Sequence, residues 1–230
     1  MREERLENNG IPAKLYDPGD ATGLLLFGHG GAHSKDSERF VRLCRTYAEQ
    51  TGLAVVCIDA VDHGERKPTT ASPALPSRWH SNAIGQMVAD WQTTADVLSS
   101  IGPTVAYVGF SMGMIFGAPT VAAMASIKAA VFGVGGIPTG AGIDDPALRA
   151  TLLKAASELA HPQMLMLNLT KDEIFRADDA HLFFDAIPGR RKRLVFWESD
   201  HDDWPAEAIR HSVEFINEHT RGDALPVDAA

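Results

Sequence analysis

The apolar positions of this 230-residue chain fall into short continuous runs that alternate with amphipathic stretches. Short apolar runs at Leu24–Phe27 and 104–109 are typical of strands buried on both faces. Further strands are predicted over 53–58, 129–134, 164–169 and 193–197. Helices are predicted over 37–50, 83–100, 146–159, 177–187 and 205–219, and another directly after Ser111. The regular alternation predicts an α/β fold with a mainly parallel sheet covered by helices on both faces.

Several segments depart from this alternation. Residues 2–8 and 11–16 flank Asn9-Gly10, a dipeptide suited to a tight hairpin, so a peripheral antiparallel ribbon is expected. The 45% hydrophobic content supports one core, and residues 1–222 are therefore predicted to form one domain. Residues 137–160 are interpreted as a small lid-like insertion that leaves the site open. Residues 223–230 are expected to be a flexible tail.

Charge and cysteine content exclude several classes of protein. The formal net charge of −9 argues against binding to nucleic acid or to an anionic membrane. No signal peptide is visible and no run approaches the roughly 18 apolar residues of a membrane span, so a cytoplasmic protein is expected. Cys44 and Cys57 are interpreted as reduced structural thiols. No metal-binding spacing is found, no cofactor is expected, and the oligomeric state stays open.

A serine lies between glycines where a predicted strand meets a helix. The segment is Gly109-Phe110-Ser111-Met112-Gly113, after the apolar run that begins at Thr104. A nucleophilic serine must project from a sharp strand-to-helix turn, and glycines two residues away on either side remove Cβ atoms that would clash there. Ser111 is therefore the candidate nucleophile.

A serine hydroxyl needs a base, and the base needs an acid to orient it. Functional groups in parallel sheets gather beyond the carboxyl ends of the strands. His201 follows the last predicted strand and is the candidate base. Asp172 follows the strand 164–169 and is the candidate acid, with Glu173 and Asp178 as rivals. The resulting order of serine, acid and histidine is that of the strand-elbow arrangement.

A tetrahedral oxyanion requires backbone N–H donors. Met112, directly after the candidate nucleophile, should supply one donor, and the loop His29-Gly30-Gly31-Ala32 the other. The sequence does not separate Gly31 from Ala32 as that second donor. Further candidates, for contact with substrate, are His33, Trp79 and Trp204.

These motifs together resemble the α/β-hydrolase family over nearly the whole chain. The resemblance rests on His29-Gly30-Gly31, the pentapeptide around Ser111, Asp172 and His201. Within the family, the chain is similar to small carboxylesterases and to dienelactone-hydrolase-like or peptidase-like members. Dienelactone hydrolases proper carry cysteine where this chain has Ser111. The resemblance implies the α/β-hydrolase fold with a minimal lid, and cleavage of small-molecule carboxylic esters through an acyl-enzyme.

Other functions stay open at this point. A peptidase, a lactonase or a dienelactone-type hydrolase would use the same three side chains. A non-hydrolytic enzyme of this fold could use His201 as a base without acyl transfer, because a fold does not determine a reaction. A binding protein without catalysis is the non-enzyme alternative, against which the complete set of serine, acid and histidine argues.

Overall fold

The computed structural model describes residues 1–68, 81–139 and 145–221. Within them, eight strands form one sheet in the order β1-β2-β4-β3-β5-β6-β7-β8. The strands are β1 (Arg2–Asn8), β2 (Ile11–Asp17), β3 (Leu24–Gly28), β4 (Ala54–Ile58), β5 (Thr104–Phe110), β6 (Ala129–Gly133), β7 (Gln163–Leu169) and β8 (Lys192–Trp197). The helices are α1 (Glu38–Thr51), α2 (Ser81–Val97), α3 (Met112–Ala123), α4 (Pro146–Glu158), α5 (Ala177–Ala186) and α6 (Ala206–Thr220), with a 3-10 turn at Gly64–Arg66.

The predicted antiparallel ribbon is confirmed. β1 pairs with β2 from Arg2↔Asp17 to Asn8↔Ile11. Asn9 and Gly10 both have positive φ, 51° and 79°, as the two central residues of a type I′ hairpin turn require. β2 also pairs antiparallel with β4, so the ribbon extends the main sheet at one edge.

The other strand pairs are parallel, as predicted. The residues of β3, β4, β5 and β6 are buried along their whole length, which explains their uninterrupted apolar sequences. One face of the sheet packs against α1 and α6, and the other face against α2, α3, α4 and α5. The carboxyl ends of β3 to β8 consequently share one rim.

Helix α4 lies in the segment that the sequence suggested as a lid-like insertion. It packs instead as an ordinary crossover helix between β6 and β7, because Leu148, Leu152 and Ala156 are buried in the core against α3. Asp145 caps its first turn by accepting from the N–H groups of Ala147 and Leu148. The rest of the insertion includes residues 140–144, which lie outside the described residues, as does the predicted tail 223–230.

In the three described ranges, no helix is long and apolar enough to cross a membrane.

Candidate active site

Ser111 occupies the one-residue turn between β5 and α3. Its φ of 55° and ψ of −116° lie in a region that residues with a Cβ rarely adopt, at a cost on the order of 1–3 kcal/mol. Its N–H donates to the carbonyl of Gly133 at 2.8 Å, which attaches the turn to the end of β6. The side chain is thereby held at the rim, at the amino end of α3.

Two glycines allow α3 to approach the sheet at this turn. A Cβ on Gly109 would collide with the carbonyl of Gly113, and a Cβ on Gly113 would collide with the carbonyl of Gly28. Neither obstacle is a flexible side chain that could move aside. The glycines flanking Ser111 are therefore required by the close approach of backbone to backbone.

His201 lies in the loop between β8 and α6 and contacts two of the predicted site residues. Its Nε2 is 3.1 Å from Ser111 Oγ, and its Nδ1 is 2.8 Å from Asp172 Oδ2. A carboxylate oxygen only accepts, so Nδ1 carries the proton and donates to Asp172. Nε2 is then free to accept the hydroxyl proton of Ser111.

Asp172 is held by both of its carboxylate oxygens. Oδ1 accepts from the N–H groups of Ile174 and Phe175, each at 2.8 Å, while Oδ2 accepts from His201. Its side chain is fully buried, and the Phe175 ring lies 6.0 Å from the His201 ring in a stacked orientation. The Asp172 carboxylate is thus fixed in position, and the Phe175 ring packs beside the imidazole of His201.

Glu173 and Asp178, the two alternatives to Asp172, lie outside this hydrogen-bonded series, and so do Asp200 and two further histidines. The side chains of Glu173, Asp178 and Asp200 are exposed. His181 packs on Phe196, and His211 packs on Trp197. Neither histidine shares the hydrogen bonds that join Ser111, His201 and Asp172.

The predicted oxyanion donors are the first N–H of α3 and the loop after β3. Met112 is the first residue of α3, so its N–H has no acceptor within the helix and lies at the positive end of the helix dipole. Ala32 has a φ of 60°. Among the described residues, no backbone carbonyl accepts from the N–H of Gly31 or Ala32. Their role as oxyanion donors stays a prediction, and the choice between Gly31 and Ala32 stays open.

His29 anchors this loop and does not serve as a second base. It is buried, donates from Nδ1 to the Gly30 carbonyl at 2.8 Å, and accepts at Nε2 from the Ala60 N–H at 3.0 Å. Burial lowers the pKa of His29 to about 4, so the ring is neutral at pH 7. Through it the loop after β3 is attached to the loop after β4.

A buried ion pair between Lys35 and Asp59 strengthens the same attachment. Asp59 accepts from the Lys35 N–H at 2.9 Å, from Lys35 Nζ at 2.8 Å and from the Glu65 N–H at 2.9 Å. Burial opposes both charges, but hydrogen bonds outweigh it. The carboxylates of Asp59, Glu65 and Asp36 raise the pKa of Lys35, and the Lys35 ammonium with the N–H groups of Glu65 and Lys35 lowers the pKa of Asp59. Nothing in the sequence distinguishes Lys35 from a solvated loop lysine, so its position was not predicted.

Trp204 contacts the site through its neighbours. Its Nε1 donates to the His201 carbonyl at 2.7 Å, and its ring stacks on Phe110. The Arg39 guanidinium lies 3.7 Å from the ring centroid and also donates to the Asp202 carbonyl at 2.8 Å. Contact with substrate stays a prediction for Trp204.

The remaining pocket candidates are less defined. The His33 ring packs against Phe40 with centroids 5.2 Å apart, directly after the loop 29–32 that is predicted to supply an oxyanion donor. Trp79 lies outside the described residues. Within those residues, no group of three or more histidine, cysteine, aspartate or glutamate side chains could hold a metal ion.

Solved structures share this fold. An esterase from an Arctic intertidal metagenomic library superposes with a TM-score of 0.81 at 24% identity, covering 96% of this chain and 94% of that chain. TT1662 from Thermus thermophilus gives 0.77 at 22% identity, covering 94% and 97%. The Pyrococcus furiosus esterase Pf2001 gives 0.73 at 13% identity, covering 96% and 94%. At these identities the likeness establishes the fold alone.

Comparison with curated proteins gave no match. The model of the Alpha/beta hydrolase family, however, matches residues 25–224, which include the predicted nucleophile, base, acid and oxyanion loop. The match agrees with the sheet order and with the turn at Ser111. The chain belongs to the alpha/beta hydrolase family.

Proposed function

We propose that this chain is a serine hydrolase that cleaves small carboxylic esters through an acyl-enzyme on Ser111. The observation that carries the proposal is the hydrogen-bonded series from Ser111 Oγ through His201 to the buried carboxylate of Asp172. The description of two structural neighbours as esterases supports ester cleavage within this family.

The first half of the reaction forms the acyl-enzyme. His201 Nε2 takes the proton of Ser111 as Oγ attacks the ester carbonyl carbon, and the carbonyl π pair moves to the oxygen. The Asp172 carboxylate stabilises the resulting imidazolium through Nδ1. His201 then gives its proton to the leaving alcohol oxygen as the C–O bond breaks.

The oxyanion of the tetrahedral intermediate is stabilised by backbone donors. The Met112 N–H supplies one hydrogen bond, and the N–H of Gly31 or Ala32 supplies the other. Because these donors belong to a helix terminus and to a loop anchored by His29, they are oriented before the substrate arrives.

The second half of the reaction releases the acid. Water enters, His201 takes one of its protons, and the hydroxide oxygen attacks the acyl carbon. The tetrahedral intermediate collapses as Ser111 Oγ leaves and recovers its proton from His201. One ester bond and one water molecule are consumed, and no cofactor takes part.

Covalent labelling tests the nucleophile directly. We expect a fluorophosphonate probe to label wild-type protein at one serine, identified as Ser111 by peptide mass spectrometry, and short p-nitrophenyl esters to be hydrolysed. Ser111→Ala should abolish labelling and lower kcat by roughly 10⁶-fold. Ser157→Ala, at an exposed hydroxyl near the end of α4, is the matched control and should change neither.

Two results would overturn the proposal. One is folded wild-type protein that is neither labelled nor active on any ester. The other is a folded Ser111→Ala variant that keeps wild-type turnover. Circular dichroism of each sample separates these outcomes from a failure to fold.

A further inference from the structure

β8 forms one edge of the sheet, and within the described residues nothing pairs with its outer side. The opposite edge, β1, is protected by the charges of Arg2, Glu3, Glu4 and Arg5, as edge strands usually are. In β8 the four residues from Leu194 to Trp197 are all apolar and only partly buried. The charged residues of this segment lie at its two ends, Lys192 and Arg193 at the start and Glu198 just after the strand, so the middle of the edge lacks the charges that normally prevent strand pairing.

The hydrogen bonds to β7 identify which residues of β8 present their backbone outward. The carbonyls of Arg191, Trp197 and Ser199 accept from β7 and the loop that follows it, at 2.8–3.0 Å. Successive residues of a strand direct their N–H and C=O groups to opposite sides, so the odd-numbered residues bond to β7. The even-numbered residues, from Lys192 to Glu198, direct theirs to the free edge.

The surface beside this edge is apolar as well. Leu194 and Phe196 lie on the face that packs toward α5, where the His181 ring is 5.6 Å from that of Phe196. Next to His181, Leu182 is 40% exposed, one of the few large apolar side chains that are so accessible among the described residues. Leu194 and Phe196 are thus partly exposed apolar side chains directly beside the free edge.

We propose that β8 pairs antiparallel with β8 of a second copy of this chain around a two-fold axis at Val195. In this register the numbers of two facing residues add up to 390, so each even-numbered residue faces an even-numbered residue of the partner. Leu194 faces the partner's Phe196, and each pair exchanges two backbone hydrogen bonds. The two sheets then become one continuous sheet across the interface.

Charge complementarity selects this register over its neighbours. Lys192 lies opposite the partner's Glu198, and the two-fold axis repeats that pair at the other end of the strand. Within its own chain the Lys192 ammonium donates to the carbonyls of Phe184 and Ile187 at 2.7 Å, which leaves its third N–H for the partner's carboxylate. Moving one strand by two residues, the smallest shift that keeps even-numbered residues opposite each other, gives two alternative registers. One places Lys192 opposite the partner's Phe196, and the other places Leu194 opposite the partner's Glu198. Only the register centred on Val195 matches apolar with apolar and Lys192 with an acid.

A register-specific disulfide tests the geometry. Val195 faces Val195 of the second copy at a non-hydrogen-bonded position, where the two Cα atoms are about 4.5 Å apart. This distance lies within the range that a disulfide spans. Oxidised Val195→Cys should therefore give a covalent dimer on non-reducing gels. Arg191→Cys should not, and R191C/S199C should. Wild-type protein, whose cysteines Cys44 and Cys57 are both buried, is the control for covalent dimer that forms without an added cysteine.

Sedimentation equilibrium tests the charges without a cross-link. Wild-type protein should reach twice the 24.8 kDa chain mass in a concentration-dependent way. Glu198→Lys, which places a second cation opposite Lys192 at each end of the paired strands, should weaken the dimer roughly tenfold. Glu38→Lys, which makes the same charge change on the exposed face of α1, should have no effect.

The cross-linking and sedimentation results distinguish the proposed interface from its alternatives. A dimer that cross-links at Val195 and weakens with Glu198→Lys supports the interface. A protein that stays monomeric, a dimer that does not cross-link at Val195, or cross-linking of Arg191→Cys alone would overturn it. The proposal does not depend on ester hydrolysis, because none of these measurements uses activity.

Discussion

The indole of Trp204 stacks on the ring of Phe110 with centroids 4.1 Å apart and planes 18° from parallel. Phe110 directly precedes Ser111, and Trp204 donates to the carbonyl of His201. One aromatic contact therefore connects the turn that bears the proposed nucleophile with the loop that bears the proposed base. The Arg39 guanidinium lies against Trp204 and donates to Asp202 in the same loop.

Substitution of Trp204 should affect turnover more than substrate binding. Trp204→Phe keeps an aromatic ring for stacking but loses the N–H donor, so we expect a small fall in kcat. Trp204→Ala loses both contacts, and a displacement of His201 by about 1 Å would lower kcat up to ~10²-fold. Steady-state kinetics on a p-nitrophenyl ester separate kcat from KM. A rise in KM with unchanged kcat would instead assign Trp204 to the substrate pocket.

The acid should be identified by amide substitution. Asp172→Asn keeps the size of the side chain but removes the charge and the acceptor that orients Nδ1 of His201, so kcat should fall roughly 10⁴-fold. Glu173→Gln, at the adjacent exposed carboxylate, is the matched control and should retain wild-type kcat. If the two variants behaved in the opposite way, the acid role would belong to Glu173.

Breaking the buried ion pair should destabilise the fold. Lys35→Met leaves the carboxylate of Asp59 buried without its cation, at a cost of about 3–5 kcal/mol in the free energy of unfolding. K35M/D59N removes both charges and should cost less than Lys35→Met alone. Urea denaturation measures the difference, with Arg42→Met, at an exposed ion pair on α1, as the control. Equal losses in K35M and K35M/D59N would contradict this account.

His29 should make stability depend on pH in the mildly acid range. Unfolded His29 binds a proton with a pKa near 6.5, whereas folded His29 binds it only at about 4. Between these values the unfolded state holds more protons, so stability falls as pH falls, by about 1.4 kcal/mol per pH unit from this group. Above pH 7 its contribution is fully present.

Urea denaturation at several pH values between 7 and 4 checks the contribution of His29. His29→Asn should flatten the profile in that interval relative to wild type, even if it is less stable at pH 7. Parallel profiles for the two proteins would show that His29 is not the group responsible.

Local sequence was sufficient for most of the elements. Strands β3 to β6 are buried on both faces, so their sequences are continuously apolar and can be recognised without any partner. The hairpin follows from Asn9-Gly10, since both positions require positive φ. Helix α4 was predicted over 146–159, but its sequence alone does not reveal that Leu148, Leu152 and Ala156 pack into the core against α3.

For the site, the sequence by itself determined which residue types follow the strands and in what order. Parallel strands end at one rim, so the sequence alone was enough to expect Ser111, Asp172 and His201 at the same rim of the sheet. The tertiary structure alone decided the distances between them, the tautomer of His201 and the burial of Asp172. It also decided the roles of Lys35 and Trp204, because their partners are 24 and 94 residues away in the chain and no local pattern records such contacts.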